Sequence, residues 1–234
     1  MMNHSSNLVQ TAEQWLEAPV DTDFKAAIAT SEALLDELQQ AMREPGADRR
    51  RLGALIGRVK GTAKRLAAVE PIDWVAVGAG HLAIGHRPGA DLVGSLKLQG
   101  ATHILTLLSE KEGGRKVEGF CREQDLAWLW LPMASARPPA EDRYAEIACQ
   151  FNDLATILND GGRIYLHCSA GIHRTGMITV ALLRFLGLDG PAAMETLRAL
   201  RPTTHAGAGD HRLAWAHSVW QDLQGACAVV TPLA

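Results

Sequence analysis

The chain has 234 residues, 47% of them hydrophobic, which suffices to bury the core of one medium-sized domain with an extension. Its formal net charge of −3 at pH 7 argues against bulk electrostatic attraction to nucleic acid or acidic lipid. Residues 1–7 form neither a basic nor an apolar leader, and no stretch approaches the roughly 20 apolar residues of a membrane helix. We therefore expect a cytoplasmic protein without a membrane span, and we do not expect nucleic acid as a partner.

The cysteines are widely separated in the sequence and include no C-x-x-C pair: Cys121, Cys149, Cys168 and Cys227. This spacing predicts neither a disulfide framework nor a structural zinc site. We expect reduced thiols, no metal and no cofactor.

Apolar residues recur with helical spacing in two segments, 24–42 and 52–66, and each segment is followed by a proline. The pattern predicts a helical hairpin as an N-terminal extension, 1–70, placed before a main domain, 71–234. The basic residues between 43 and 65 are typical of a solvated helix face. The sequence leaves open whether the extension covers the main domain, dimerises or binds an anionic partner, and it leaves the oligomeric state open.

Beyond residue 71, short apolar runs alternate with longer helix-like stretches. The predicted strands are 74–77, 82–84, 103–108, 126–131 and 164–166. The predicted helices are 90–99, 141–158, 176–186, 192–200 and 209–223. This alternation predicts an α/β domain with a central, mainly parallel sheet flanked by helices.

Residues 164–177 combine a strand of the buried type, a loop of small residues and an apolar helix. A loop that leads into a helix N-terminus presents its backbone amides to an anion. Cys168 begins this loop, where the helix N-terminus and nearby positive charge lower a thiol pKa from about 8.5 to roughly 3.5–7.5. Arg174 offers a planar fork of donors for two phosphate oxygens. The pattern predicts that Cys168 attacks phosphorus while Arg174 holds the phosphate.

The rest of the segment suits the same chemistry. Gly171 lets the backbone turn and approach a ligand, and the Thr175 hydroxyl is placed to hydrogen-bond the sulfur as it leaves. His167 is predicted to order the loop from behind. The predicted phosphate-binding backbone comprises Ser169, Ala170, Gly171, Ile172, His173 and Arg174. The alternative, a cysteine merely buried at a strand end, does not explain the surrounding His, Gly, Arg, Thr and Gly.

The segment from His167 to Thr175 resembles the signature H-C-x-x-G-x-x-R-[ST] of the protein-tyrosine and dual-specificity phosphatases. The resemblance spans about residues 72–222. It implies a fold like that of the dual-specificity enzymes and a two-step hydrolysis through a phosphocysteine, without a metal.

The sequence departs from this family at the general acid, which is usually an Asp about thirty residues before the nucleophile. Here residues 131–139 contain no acid, and Ser135 stands at the expected position. Glu141 and Asp142 are the nearest replacements, although two acids also suit the start of a helix. His173 is a further candidate donor. Three interpretations stay open: a displaced acid, a slow enzyme, or a substrate such as a phosphoanhydride whose leaving group needs no proton.

The sequence predicts a phosphatase that hydrolyses phosphate monoesters, with a phosphorylated protein or small molecule as its partner. One alternative is a phosphate-binding pseudophosphatase. Another is a phosphatase for a phosphoinositide, an inositol phosphate, a nucleotide or an RNA 5'-triphosphate. Asp210 or His211 is a candidate for positioning the hydrolytic water.

Overall fold

The computed structural model describes residues 4–17, 24–67 and 72–226, so Cys227 lies outside the described residues. The described chain divides into two compact units. One holds the N-terminal helices, and the other holds the sheet with the helices that flank it. The predicted boundary between residues 70 and 71 falls outside the described ranges.

The N-terminal unit contains α1 (His4–Glu17), α2 (Phe24–Ala41) and α3 (Arg49–Ala67). Apolar side chains of all three helices form a core of their own: Leu8, Val9, Ala12, Leu34, Leu38, Ala41, Leu52, Leu55 and Val59. The prediction of a two-helix hairpin is therefore wrong, because the unit contains a third helix, α1. Its apolar positions are spaced for a helix, but the polar residues between them weakened the sequence signal.

The strands of the second unit form a five-stranded sheet in the described residues, in the order β1-β2-β5-β3-β4. Their bounds are β1 Val75–Val77, β2 Gly80–Gly85, β3 His103–Leu108, β4 Ala127–Met133 and β5 Arg163–His167. β1 pairs antiparallel with β2, and the other pairs are parallel. The predicted mainly parallel α/β sheet is confirmed.

Side chains alternate between the two faces of the sheet, and both faces are buried. On β5, Ile164 and Leu166 point into the core shared with α6, α7 and α8, whereas Tyr165 points into the core shared with α4 and α5. On β2, Leu82 and Ala83 divide in the same way. Hydrophobic packing on both sides thus fixes the register of the strands and the edge at which their loops emerge.

The helices of this unit are α4 Ala90–Leu98, α5 Gly114–Glu123, α6 Tyr144–Asn159, α7 His173–Phe185, α8 Gly190–Leu200, α9 Pro202–Gly207, α10 Asp210–Ser218 and α11 Trp220–Ala226. A short 3-10 helix, Glu141–Arg143, precedes α6. Three predictions need correction. α5 and α9 were not predicted, the predicted helix 209–223 is interrupted at Val219, and α7 begins at His173 rather than at residue 176. Within the described residues, none of the helices is long and apolar enough to cross a bilayer.

Candidate active site

The carboxyl ends of the parallel strands β2, β3, β4 and β5 meet at one edge of the sheet, where ligands of such sheets bind. Four connections therefore converge there: residues 86–89, 109–113, 134–140 and 168–172. The last of these, with the first residues of α7, forms the phosphate loop, which we define as Cys168–Arg174. The fold brings the predicted nucleophile and the predicted arginine to the edge expected for a binding site.

Cys168 is buried, with 3% of its surface exposed. Burial by itself raises the pKa of the Cys168 thiol, but the Thr175 hydroxyl and the backbone amides of Thr175, Ile172 and Gly171 donate to the sulfur, and together they bring its pKa below the ordinary value. The Thr175 hydroxyl is buried and has no other partner among the described residues. These surroundings favour the thiolate, the form that acts as a nucleophile.

The phosphate loop depends on a glycine at position 171. Gly171 has φ +70°, a conformation that side chains other than glycine rarely adopt. A Cβ there would also overlap the backbone of Gly85, at the end of β2. Gly85 in turn has no room for a side chain, because a Cβ would overlap the Tyr165 hydroxyl. The two glycines allow the loop after β5 to lie directly on the end of β2.

The start of α9 holds the loop from another side. The Thr204 hydroxyl donates to the Gly171 carbonyl at 2.6 Å, and Nη1 of Arg201 donates to the carbonyls of Gly171 at 2.8 Å and of Ala170 at 3.0 Å. With these carbonyls held outward, the amides of the loop are left to face the sulfur. The turn at Arg201-Pro202 therefore supports the loop directly.

Arg174 is fixed by a carboxylate that the sequence analysis did not identify. Its Nη1 and Nη2 donate to Oε2 and Oε1 of Glu112, each at 2.7 Å, and Nη1 also donates to the Met133 carbonyl at 2.9 Å. Glu112 accepts further hydrogen bonds from the amide and the hydroxyl of Ser109. The hydrogen bonds from Arg174, followed by those from Ser109, outweigh burial and lower the pKa of Glu112 to about 2.

A guanidinium has five N–H groups, and three of those of Arg174 are used by Glu112 and Met133. The remaining two, on Nε and Nη2, lie on the same edge of the group and donate to no oxygen of the described residues. The hydrogen bond to Glu112 raises the pKa of Arg174, and the Cys168 sulfur contributes to the same shift as an acceptor. This edge is therefore a preformed two-donor fork beside the nucleophile, suited to two phosphate oxygens.

His167 belongs to a buried chain of hydrogen bonds behind the loop. Nε1 of Trp128, which can only donate, donates to the Thr106 hydroxyl at 2.9 Å, and that hydroxyl lies 2.9 Å from Nε2 of His167. Nδ1 of His167 lies 3.1 Å from the Cys168 carbonyl. Burial lowers the pKa of His167 to about 4, so the ring is neutral at pH 7. The polarity of the chain fixes the tautomer, with the proton on Nδ1 donated to the loop.

The candidates for the general acid are exposed and lie outside the hydrogen-bond network of the phosphate loop. Ser135 is exposed in the connection 134–140, where its hydroxyl accepts the Arg137 amide at 3.2 Å. Glu141 and Asp142 are exposed in the 3-10 helix before α6. His173 is the exposed first residue of α7. None of these side chains hydrogen-bonds the phosphate loop in the described structure.

The proposed water-positioning residues, Asp210 and His211, are exposed at the start of α10. Their neighbour Arg212 donates from Nε to the Ala136 carbonyl. This end of α10 therefore fixes the connection 134–140.

Sequence reasoning missed Glu112, Arg87 and Thr106, which lie far from the motif in the chain. A signal was available for Glu112, because it follows β3 and the carboxyl end of β3 lies beside that of β5 in a parallel sheet. In the structure the Arg87 amide donates to the Ser169 carbonyl at 3.0 Å.

Comparisons with known proteins agree with this architecture. Residues 131–196 match the model of a tyrosine phosphatase family. Among solved structures, kinase associated phosphatase, with its catalytic site cysteine replaced by serine, matches with a TM-score of 0.53 and 18% identity over 65% of this chain and 95% of that chain. Tk-PTP in its active form matches with a TM-score of 0.50 and 16% identity over 64% and 97%. No curated protein matches the sequence.

At these identities the two structures show a common fold, while the family match covers the phosphate loop itself. Together they confirm the superfamily that the motif indicated, that of the protein-tyrosine and dual-specificity phosphatases.

Proposed function

We propose that the protein is a cysteine-dependent phosphatase that hydrolyses phosphate monoesters through a phosphocysteine on Cys168. The observation that carries the proposal is the two-donor edge of Arg174 beside the Cys168 sulfur, whose pKa is lowered. A bare anion-binding loop would not need a thiolate at its centre, whereas a nucleophilic phosphatase needs both groups together.

In the first step, the Cys168 thiolate attacks phosphorus, the P–S bond forms and the bond to the leaving oxygen breaks. Arg174 binds two of the three equatorial phosphate oxygens, and the loop amides donate to all three as negative charge shifts onto them. Because Glu112 holds the guanidinium in place beforehand, little reorganisation is needed during the reaction.

In the second step, water attacks the phosphocysteine, the P–S bond breaks and orthophosphate leaves. The sulfur departs as a thiolate, which the Thr175 hydroxyl and the loop amides stabilise in the same way as they do in the free enzyme. The chain from Trp128 to His167 keeps the Cys168 carbonyl turned away from the phosphate.

The test is release of phosphate from p-nitrophenyl phosphate in the presence of EDTA. Wild type is expected to turn over, Cys168→Ser to fall to background, and Cys149→Ser, which changes an exposed cysteine on α6, to retain activity. Turnover that survives in Cys168→Ser would contradict the proposal. A wild type that binds vanadate but releases no phosphate would favour the pseudophosphatase, for which the missing acid at Ser135 is the supporting observation.

A further inference from the structure

The connection after β4 enters the site but supplies no acid. The Met133 carbonyl accepts from Arg174, so Ser135 lies two residues from a direct contact to the phosphate-binding arginine. Nothing between residues 131 and 140 carries a carboxyl group. A serine hydroxyl has too high a pKa to protonate a leaving group at neutral pH. The connection 134–140 therefore lies beside the phosphate-binding arginine but carries no carboxyl group that could protonate a leaving group.

The carboxyl group that does lie at the site cannot replace it. Both oxygens of Glu112 accept hydrogen bonds from Arg174, and the carboxylate is ionised at neutral pH, with its pKa lowered to about 2 by these bonds. Glu141 and Asp142 are exposed, and no side-chain hydrogen bond of the described structure fixes them over the phosphate loop. No carboxyl group is therefore held at the site in a position to protonate the leaving group.

An additional cation stands beside the phosphate loop. Arg87 is exposed, its amide donates to the Ser169 carbonyl at 3.0 Å, and its Nη1 donates to the Glu112 carbonyl at 2.9 Å. Its guanidinium forms no ion pair with a carboxylate of the described residues. Arg87 thus bridges the loop that holds the nucleophile and the segment that holds Arg174, with donors left over.

We propose that the preferred substrate of this site is a phosphoric anhydride, whose terminal phosphoryl group passes to Cys168 while the departing phosphate is bound by Arg87. This rests on the proposed phosphocysteine chemistry, which monoesters such as p-nitrophenyl phosphate also undergo, and names the substrate class that the site favours. The thiolate attacks the terminal phosphorus, the P–S bond forms and the bridging P–O bond breaks. The bond's electron pair stays on the departing phosphate, and water then releases orthophosphate from the sulfur.

The leaving group decides between substrate classes. A departing phosphate has a second pKa of about 6 and is a stable anion at neutral pH, whereas the phenol of tyrosine has a pKa of about 10 and departs poorly without a proton. General acid catalysis is typically worth about 10²–10⁴-fold. A site that lacks it, but offers a cation to a departing phosphate, favours anhydrides over aryl and alkyl esters.

The experiment compares kcat/KM for inorganic tripolyphosphate and phenyl phosphate, with EDTA present and with p-nitrophenyl phosphate as the reference. We expect tripolyphosphate to exceed phenyl phosphate by about 10²-fold or more. Equal or faster cleavage of phenyl phosphate would overturn the anhydride proposal while leaving the phosphatase function intact. Failure to cleave p-nitrophenyl phosphate would instead contradict the proposed function itself.

Arg87→Ala tests the subsite. We expect it to lower kcat/KM for tripolyphosphate at least about ten times more than for p-nitrophenyl phosphate, which has no departing phosphate, since a hydrogen bond to a charged group is worth roughly 10-fold or more. Arg87→Lys should recover part of the loss. Arg122→Ala, at the far end of α5, is the matched control for removing an exposed arginine. Equal losses on both substrates would show that Arg87 only supports the loop, and would overturn its assignment.

Discussion

The phosphate loop and the connection 134–140 lie on two sides of the candidate site and differ in the catalytic groups that they carry. The phosphate loop is held by Arg201, Thr204 and the chain through His167, and it presents a cysteine whose pKa is lowered and a preformed arginine fork. The connection 134–140 lies next to the same arginine, yet it carries only Ser135 at the position of the acid. The difference shows that the groups for phosphate binding and nucleophilic attack belong to one segment, whereas protonation of the leaving group would depend on another.

The largest effect is expected from a substitution in the phosphate loop. Arg174→Lys keeps the charge but cannot bind Glu112 and two phosphate oxygens at once, because an ammonium has no planar fork. We expect kcat/KM for p-nitrophenyl phosphate to fall by about 10³-fold, within the range for losing an arginine that stabilises transferring phosphate. Arg198→Lys, an exposed arginine of α8, is the control. A loss below about tenfold would show that the fork is not used.

The next largest effect is expected from adding an acid to the connection 134–140. Ser135→Asp places a carboxyl group at the position two residues beyond Met133, and we expect kcat/KM for phenyl phosphate to rise by about 10²-fold, the lower end of general acid catalysis. The gain should be small for p-nitrophenyl phosphate, whose leaving group needs less help. Ser135→Asn, of equal size but without an acid, should give no gain. Equal gains in both variants would contradict a missing proton donor.

Glu112→Gln separates positioning from binding. The variant keeps the shape but loses one charge, and we expect kcat/KM to fall by about tenfold or more as the arginine is held less well. Because the carboxylate side chain is 35% exposed, we expect a loss of only about 1–2 kcal/mol in the free energy of unfolding. Glu110→Gln, in an exposed ion pair with Arg115, is the matched control.

The same pair makes stability depend on pH. The pKa of Glu112 is lowered from 4.5 to about 2, so its stabilisation is complete above the unfolded value and is lost as pH falls toward 2. Chemical denaturation at several pH values should therefore show wild type and Glu112→Gln converging in this acidic range. A difference that is unchanged down to pH 2 would contradict the ionised pair.

The smallest expected effect concerns the sulfur. Thr175→Val removes the hydroxyl that helps to lower the pKa of Cys168, so the thiolate should form at higher pH than in wild type. Thiolate ultraviolet absorbance, taken as the difference from Cys168→Ser at each pH, measures the shift. Thr179→Val, a buried threonine one turn further along α7, is the control. An unchanged midpoint would show that the amides alone set the pKa.

Much of this architecture follows from local sequence pattern. The five strands and the loop from Cys168 to Arg174 are contiguous segments whose spacing is informative on its own. Glu112 was not predictable in this way, because its role comes from the adjacency of β3 and β5 in the sheet. The predicted start of α7 at residue 176 was late, since Arg174 and Thr175 are polar and resemble loop residues, although they form its first turn.

The most direct test of the account is mass spectrometry of wild type quenched with acid during turnover of p-nitrophenyl phosphate. The account predicts a phosphoryl group on the peptide that contains Cys168, and none on the peptides that contain Cys121 or Cys149. Turnover without any phosphorylated Cys168, under conditions in which the intermediate of a matched cysteine phosphatase is captured, would contradict the proposed mechanism.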